Sequence, residues 1–197
     1  MTLTPPSPKG EGAIGGNVPS FEIRLAGASD LSRLVALDHS CLSDYVWQLE
    51  LRRESGQVTA SFREVRLPRS IQVQYPRSPI SLADEWTRRD LVLVATDEGM
   101  PIGYLCALTE SASAVAWVTD LVVAPEQRRK GAASALLTAT QAWALQRGMR
   151  RLILEMQSKN QAYIRLAQKF GYEFCGYNDQ YYSTQDVTLF FGKAVKP

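Results

Sequence analysis

The chain has 197 residues, 45% hydrophobic, 9% aromatic and 21% charged. That is enough apolar mass for one core, and it excludes both a wholly disordered chain and a repetitive fibre. Twenty-two Lys and Arg against 20 Asp and Glu give a net charge of +2, too small a bias to argue for a nucleic acid or an anionic membrane.

Residues 1 to about 19, rich in Pro and Gly and without an apolar signal-like run, read as a disordered leader before one domain over 20–197. Phe21 to Arg24 is a short first strand, and Ala28-Ser29-Asp30 caps a helix carrying Leu31, Leu34, Val35 and Leu37. Val46 to Leu67, broken at Glu54-Ser55-Gly56, reads as an extended hairpin. Pro76 and Pro79 exclude regular structure before a helix that starts at Ser81 and reaches Trp86.

Three strands in meander follow at 91–96, 102–110 and 114–124. A helix over Ala133 to Arg147 closes on Gly148. A strand at 150–157, a helix over Asn160 to Lys169 ending on Gly171, and two final strands, Tyr172 to Tyr177 and Val187 to Val195, complete the chain. The strand-helix-strand unit over 114–157 predicts a parallel crossover in an otherwise largely antiparallel sheet, a mixed α/β fold. Cys41, Cys106 and Cys175 are an odd number without CxxC spacing, which favours neither a disulfide framework nor a zinc site. A reducing cytoplasm is the expected compartment, and Cys106 and Cys175 read as core fillers in apolar strands. No run of about 18 apolar residues would cross a membrane.

Arg128-Arg129-Lys130-Gly131-Ala132-Ala133-Ser134 lies between a strand end and a helix start, where backbone N–H groups lack intrahelical partners and the helix dipole favours an anion. It reads either as a phosphate cradle or as an ordinary turn carrying a solvated basic cluster. From Glu126 to Phe170 there are nine basic and two acidic residues, a net of +7, leaving 13 basic and 18 acidic, a net of −5, elsewhere. A positive lobe at a helix start suits a polyanionic ligand, and the acidic remainder is compatible with a cationic one. The loop lacks both the GxxxxGK[ST] of a nucleotide P-loop and the GxGxxG of a dinucleotide site.

Val122 to Leu137 resembles the acetyl-CoA signature of the GNAT superfamily of N-acetyltransferases, [RQ]xxGx[GA], matched by Arg128, Gly131 and Ala133. A second family block follows as an Asn-headed helix ending in Lys-x-Gly-[FY], here Asn160 through Lys169-Phe170-Gly171-Tyr172. The resemblance covers residues 114–177 closely and 21–195 loosely. Within it the Leu154-Glu-Met-Gln157, Asn160 and Gly171-Tyr172 pattern looks most like streptothricin-type and ribosomal-protein acetyltransferases.

It implies a GNAT-type fold with a splayed parallel strand pair and direct transfer of acetyl from acetyl-CoA to a primary amine of a small molecule or peptide. CoA is then the second product and no metal takes part. Leu121, Val122 and Val123 would pair with the pantetheine arm, and the N–H groups of Arg129, Lys130, Gly131, Ala132, Ala133 and Ser134 would hold the pyrophosphate, with charge added by Arg128 and Lys130. Asn160 would contact pantetheine, or only cap its helix.

Asp120, sharing a strand face with Val118 and Val122, is the first candidate to bind or deprotonate the amine. Glu155 is the second, unless it merely pairs with Arg150, Arg151 or Lys159. Where the family often carries a Tyr to protonate the leaving thiolate this chain has Ala167, and where it often has Ala this chain has Tyr163, one turn away. Either Tyr163 supplies the hydroxyl or it only fills space. Tyr177, Asn178, Asp179, Tyr181 and Tyr182 cluster where this fold shapes the acceptor pocket, and Tyr177 and Tyr181 are the substrate-binding candidates; His39, the only histidine, reads as structural. A silent acyl-CoA sensor and a transferase of longer acyl groups stay open, homodimers are common in the family, and a nucleic-acid binder is disfavoured because the basic residues lack interleaved aromatics.

Overall fold

A computed structural model describes residues 21–196, so the leader lies outside the described residues. Seven strands form one sheet in the order β1-β4-β5-β6-β7-β9-β8. These are β1 (Phe21–Leu25), β4 (Leu91–Asp97), β5 (Met100–Glu110), β6 (Val115–Val123), β7 (Arg151–Gln157), β8 (Glu173–Asn178) and β9 (Thr188–Ala194). Every neighbouring pair is antiparallel except β6–β7, as the crossover predicts. β2 (Cys41–Glu54) and β3 (Gln57–Val73) form a separate two-stranded sheet turning at Ser55-Gly56. This hairpin is longer at both ends than the 46–67 read from sequence.

The apolar runs of β4 and β5 are buried on both faces because helices cover both. On one side α3 (Ala132–Gln146) and α4 (Gln161–Lys169) bring Leu136, Leu137, Ile164 and Ala167 onto Leu105, Val118, Leu152 and Leu154. On the other, α1 (Leu31–Val35) and α2 (Ile80–Glu85) bring Leu34 and Leu82 onto Val92, Val94, Tyr104, Cys106 and Val122. Each fully buried Leu in these layers contributes on the order of 1.5–3 kcal/mol of transfer free energy.

Three local expectations are corrected. The second helix begins at Ile80 with Pro79 as its N-cap, because Ser81 Oγ donates back to Ser78 O instead of capping. Cys175 is exposed rather than a core filler, since β8 is the sheet's last strand. Finally, Asp120 does not share a face with Val118. The lateral register against β5 slips by one residue between Val118 and Asp120, a bulge that turns the strand over. Val118 therefore packs under α3 and α4, while Val122 packs under α1 and α2. Asp120, paired laterally with Cys106, takes the α1/α2 side.

Candidate active site

The parallel ladder between β6 and β7 is short. It pairs Val115–Val118 with Arg151–Leu154 and then stops, so from Thr119 and Glu155 onward the strands separate and the edge of β6 facing β7 has no strand partner among the described residues. Leu121, Val122 and Val123 continue along this open edge, held on their other side by Leu105, Tyr104 and Gly103 of β5. The opening leads into a cleft of about 40 Å³ whose lining includes Asp120, Leu121, Val122, Glu155, Asn160 and Tyr163.

At the end of β6 the chain enters α3 through the basic loop. Arg129 (φ +65°) and Gly131 (φ +104°) are both left-handed, and at +104° glycine is the residue that fits without strain. Among the described residues nothing accepts a hydrogen bond from the N–H groups of Arg129 to Ser134; the first bond of the helix is Ala135 N–H to Gly131 O. Six successive donors without acceptors at a helix start are the feature by which such a turn can take an anion. The Arg128 guanidinium donates to Val123 O at 2.8 Å, Ser40 O at 2.7 Å and Asp38 O at 3.2 Å. It clamps the chain before β2 to the end of β6. Lys130 stays exposed and, among the described residues, bonds to Gln127 Oε1 at 3.0 Å.

The two acidic candidates come together on the α1/α2 side of the cleft, each with a side chain 4% exposed. They are bridged by a residue the sequence reading missed, Arg77, from the link between β3 and α2. Arg77 Nη1 donates to Thr119 O at 2.9 Å and to Asp120 Oδ1 at 3.3 Å, and its Nη2 donates to Glu155 Oε1. Glu155 thus pairs with Arg77, not with Arg150, Arg151 or Lys159. Asp120 also accepts from the Tyr75 hydroxyl and, at 2.7 Å, from Thr119 Oγ1. Glu155 accepts from the Tyr182 hydroxyl at 2.9 Å, with the Tyr181 hydroxyl at 3.5 Å.

Burial pushes the Glu155 carboxyl above its ordinary value, an effect that the Arg77 charge and its hydrogen bonds only partly oppose. Arg77 itself is held protonated: burial works against its charge, but Asp120 and Glu155 more than compensate. His39 lines the same cleft. Its Nδ1 faces Leu37 O at 2.6 Å and its Nε2 faces the Tyr104 hydroxyl at 3.1 Å. A carbonyl can only accept, so the proton sits on Nδ1 and Nε2 accepts from Tyr104. Burial lowers the pKa of this imidazole, keeping it neutral.

On the α4 side, Asn160 Oδ1 accepts from Tyr163 N–H at 3.1 Å, so Asn160 is a helix N-cap that also lines the cleft. Tyr163 is buried, and its hydroxyl has no partner among the described residues. Burial raises its pKa well above the ordinary value, so it stays protonated. Of the two acceptor-side tyrosines chosen from sequence, Tyr181 reaches Glu155 only at 3.5 Å. Tyr177 is not in the cleft lining and stands edge-on to Phe62 of the hairpin, centroids 5.1 Å apart. Tyr182 and Tyr75 make the closer hydrogen bonds to the carboxylates. The loop carrying Tyr182 is stapled by Asp186, which accepts from Gln157 at 2.8 Å and from Lys159.

The family model Acetyltransferase (GNAT) family matches residues 59–172 of this chain, a span that holds β6, the basic loop, α3, β7 and α4. The chain belongs to the GNAT acetyltransferase family. Solved structures share the fold. A nourseothricin acetyltransferase superposes with a TM-score of 0.75 at 24% identity, covering 90% of this chain and 99% of that one. A Bacillus anthracis protein assigned as a streptothricin acetyltransferase, solved with acetyl coenzyme A, gives 0.68 at 19% identity, covering 89% and 99%. The ribosomal-protein-S18-alanine N-acetyltransferase from Escherichia coli gives 0.64 at 17%, covering 90% and 95%. Among curated protein sequences none matches this GNAT chain.

Proposed function

We propose that this GNAT acetyltransferase moves acetyl from acetyl-CoA to a primary amine within a ternary complex, through the gap between β6 and β7. The observation that carries the reading is what flanks that gap: two buried carboxylates on one side, and on the other a protonated hydroxyl without a partner among the described residues. The residues suit the donor. The N–H groups of Arg129 to Ser134 would hold its pyrophosphate with Lys130 adding charge, and the open edge at Leu121 to Val123 would pair with its pantetheine arm, with Asn160 beside it. Bound there, acetyl-CoA supplies an activated thioester.

The acceptor arrives as an ammonium ion and is drawn to Asp120 and Glu155. Glu155 takes one proton, because burial has raised its basicity. The freed nitrogen attacks the thioester carbon, the N–C bond forms, the C–S bond breaks, Tyr163 donates its proton to the leaving sulfur, and the second proton of the nitrogen passes to the Tyr163 oxygen, so that the phenol is restored. No enzyme nucleophile is used, so no acyl-enzyme is formed. The acceptor is a small molecule or a peptide, and the three free cysteines suit a reducing, cytoplasmic setting. Initial-rate patterns of thiol release against a panel of primary amines test this: lines that intersect when both substrates are varied support the ternary complex, and parallel lines with a trapped acetyl-protein would overturn it.

A further inference from the structure

Among the described residues, Arg77 is the side chain that spans the splay. Its guanidinium bonds to a β6 backbone carbonyl, Thr119 O, to a β6 carboxylate, Asp120, and to a β7 carboxylate, Glu155. Its Cζ also lies 5.2 Å from the centre of the Tyr182 ring. Two carboxylates, a carbonyl and an aromatic face are the groups that recognise an alkylammonium or guanidinium ion. Because its donors are turned onto the protein's own acceptors, Arg77 occupies a cation site instead of offering one for anions.

The segment bearing Arg77 is lightly held. β3 ends at Val73, Pro76 and Pro79 flank the residue, and among the described residues no backbone hydrogen bond joins Gln74 to Arg77 to the rest of the fold. The side chains of Tyr75 and Arg77 fasten it to the cleft. The Arg77 side chain remains 23% exposed while its two partners are 4% exposed, so the cation can leave toward solvent and the carboxylates cannot.

We propose that Arg77 is a tethered occupant of the acceptor's cation subsite and sets its specificity. A cationic amine must displace the guanidinium from Asp120 and Glu155, and a neutral acceptor cannot. This rests on the acetyl-transfer reading for calling the subsite the acceptor's, but the subsite itself is testable without acetyl-CoA. A site filled by its own side chain nine-tenths of the time weakens an added cation about tenfold. Removing that side chain restores the difference.

The Arg77→Met variant, checked for folding by circular dichroism, is titrated with n-butylammonium chloride beside wild type, with sodium chloride at equal ionic strength as the control. The melting temperature of the variant should respond at about tenfold lower butylammonium than wild type. Equal responses, or none in the folded variant, overturn the proposal. Arg77→Lys, which keeps a cation and protects the fold, provides the second readout and puts a primary amine into the subsite.

Incubated with acetyl-CoA alone, the Arg77→Lys protein should take up one acetyl group on the introduced amine and release one CoA thiol, at a rate independent of protein concentration. The new N–C bond replaces the thioester C–S bond, and the amine's proton leaves with the sulfur. A folded Arg77→Lys protein that binds acetyl-CoA and stays unmodified overturns the proposal. If acetyl-CoA does not bind to either protein, the acetyl-transfer reading fails, and the butylammonium titration still decides whether Arg77 fills a cation site.

Discussion

Replacing Tyr163 with Phe should stabilise the protein and slow it at once. The hydroxyl is buried and unpartnered, and leaving such a group unsatisfied costs about 1–3 kcal/mol. Removing the oxygen while keeping the ring that packs with Ile164, Ala167 and Tyr172 should recover about 1–2 kcal/mol of that penalty. For a chain of this size that is roughly 3–6 °C in melting temperature.

The same oxygen is assigned to the leaving thiolate. Acid catalysis contributes up to about 10²–10⁴-fold, and because a thiolate is already a good leaving group, a loss of about 10- to 100-fold in kcat is the fitting share, with KM for acetyl-CoA changed far less. Burial holds the phenol protonated well past its ordinary pKa, so the deficit should be constant across neutral pH. Melting curves and thiol-release kinetics measure both effects. Full turnover at every pH would remove Tyr163 from the chemistry, and a lower melting temperature would contradict the unpartnered hydroxyl.

Arg128 and Lys130 should separate cleanly. Arg128→Ala leaves the carbonyls of Val123 and Ser40 without their charged donor and should cost on the order of 1–3 kcal/mol of stability in a denaturant titration. Lys130→Ala should leave the melting temperature unchanged and raise KM for acetyl-CoA several-fold, more so at low salt. Glu155→Gln should abolish most turnover and remove a pH dependence of stability. A carboxyl whose folded pKa is raised binds more protons folded than unfolded, so its contribution is complete below its ordinary 4.5 and is lost as pH climbs through the raised value. The melting-temperature advantage of wild type over Glu155→Gln should therefore shrink as pH rises above 4.5, and an advantage that grows would reverse the sign of the burial effect.

The meander, the crossover and the loop before α3 were legible because the apolar strand runs are separated by short turns, at Asp97 to Gly99, Ser111 to Ser113 and Pro125, and the helix face repeats at its own period. Asp120 and Glu155 were legible as carboxylates inside apolar strands, which are costly to bury without a purpose. The face of Asp120 was not, since Val118 to Val123 reads as plain alternation and the bulge that flips it is set by pairing with β5. Arg77 was hidden for a different reason: a lone Arg between prolines looks like any turn residue, and its partners lie 43 and 78 positions further on. Among the clustered tyrosines, which one enters the cleft depends on the Asp186 staple and on the register of β8 against β9, so Tyr177 and Tyr182 were indistinguishable from their neighbours in sequence.

The proposed binding of acetyl-CoA in the gap between β6 and β7, over the donors at the start of α3, is tested by the melting temperature with and without acetyl-CoA, with ATP and dephospho-CoA as controls. At about a hundred times its dissociation constant a ligand adds roughly 2.7 kcal/mol, which should appear as a rise on the order of 5–10 °C. A rise with acetyl-CoA that ATP does not reproduce is the predicted result. An unchanged melting temperature would contradict the account, leaving the N–H groups of Arg129 to Ser134 as an ordinary helix start.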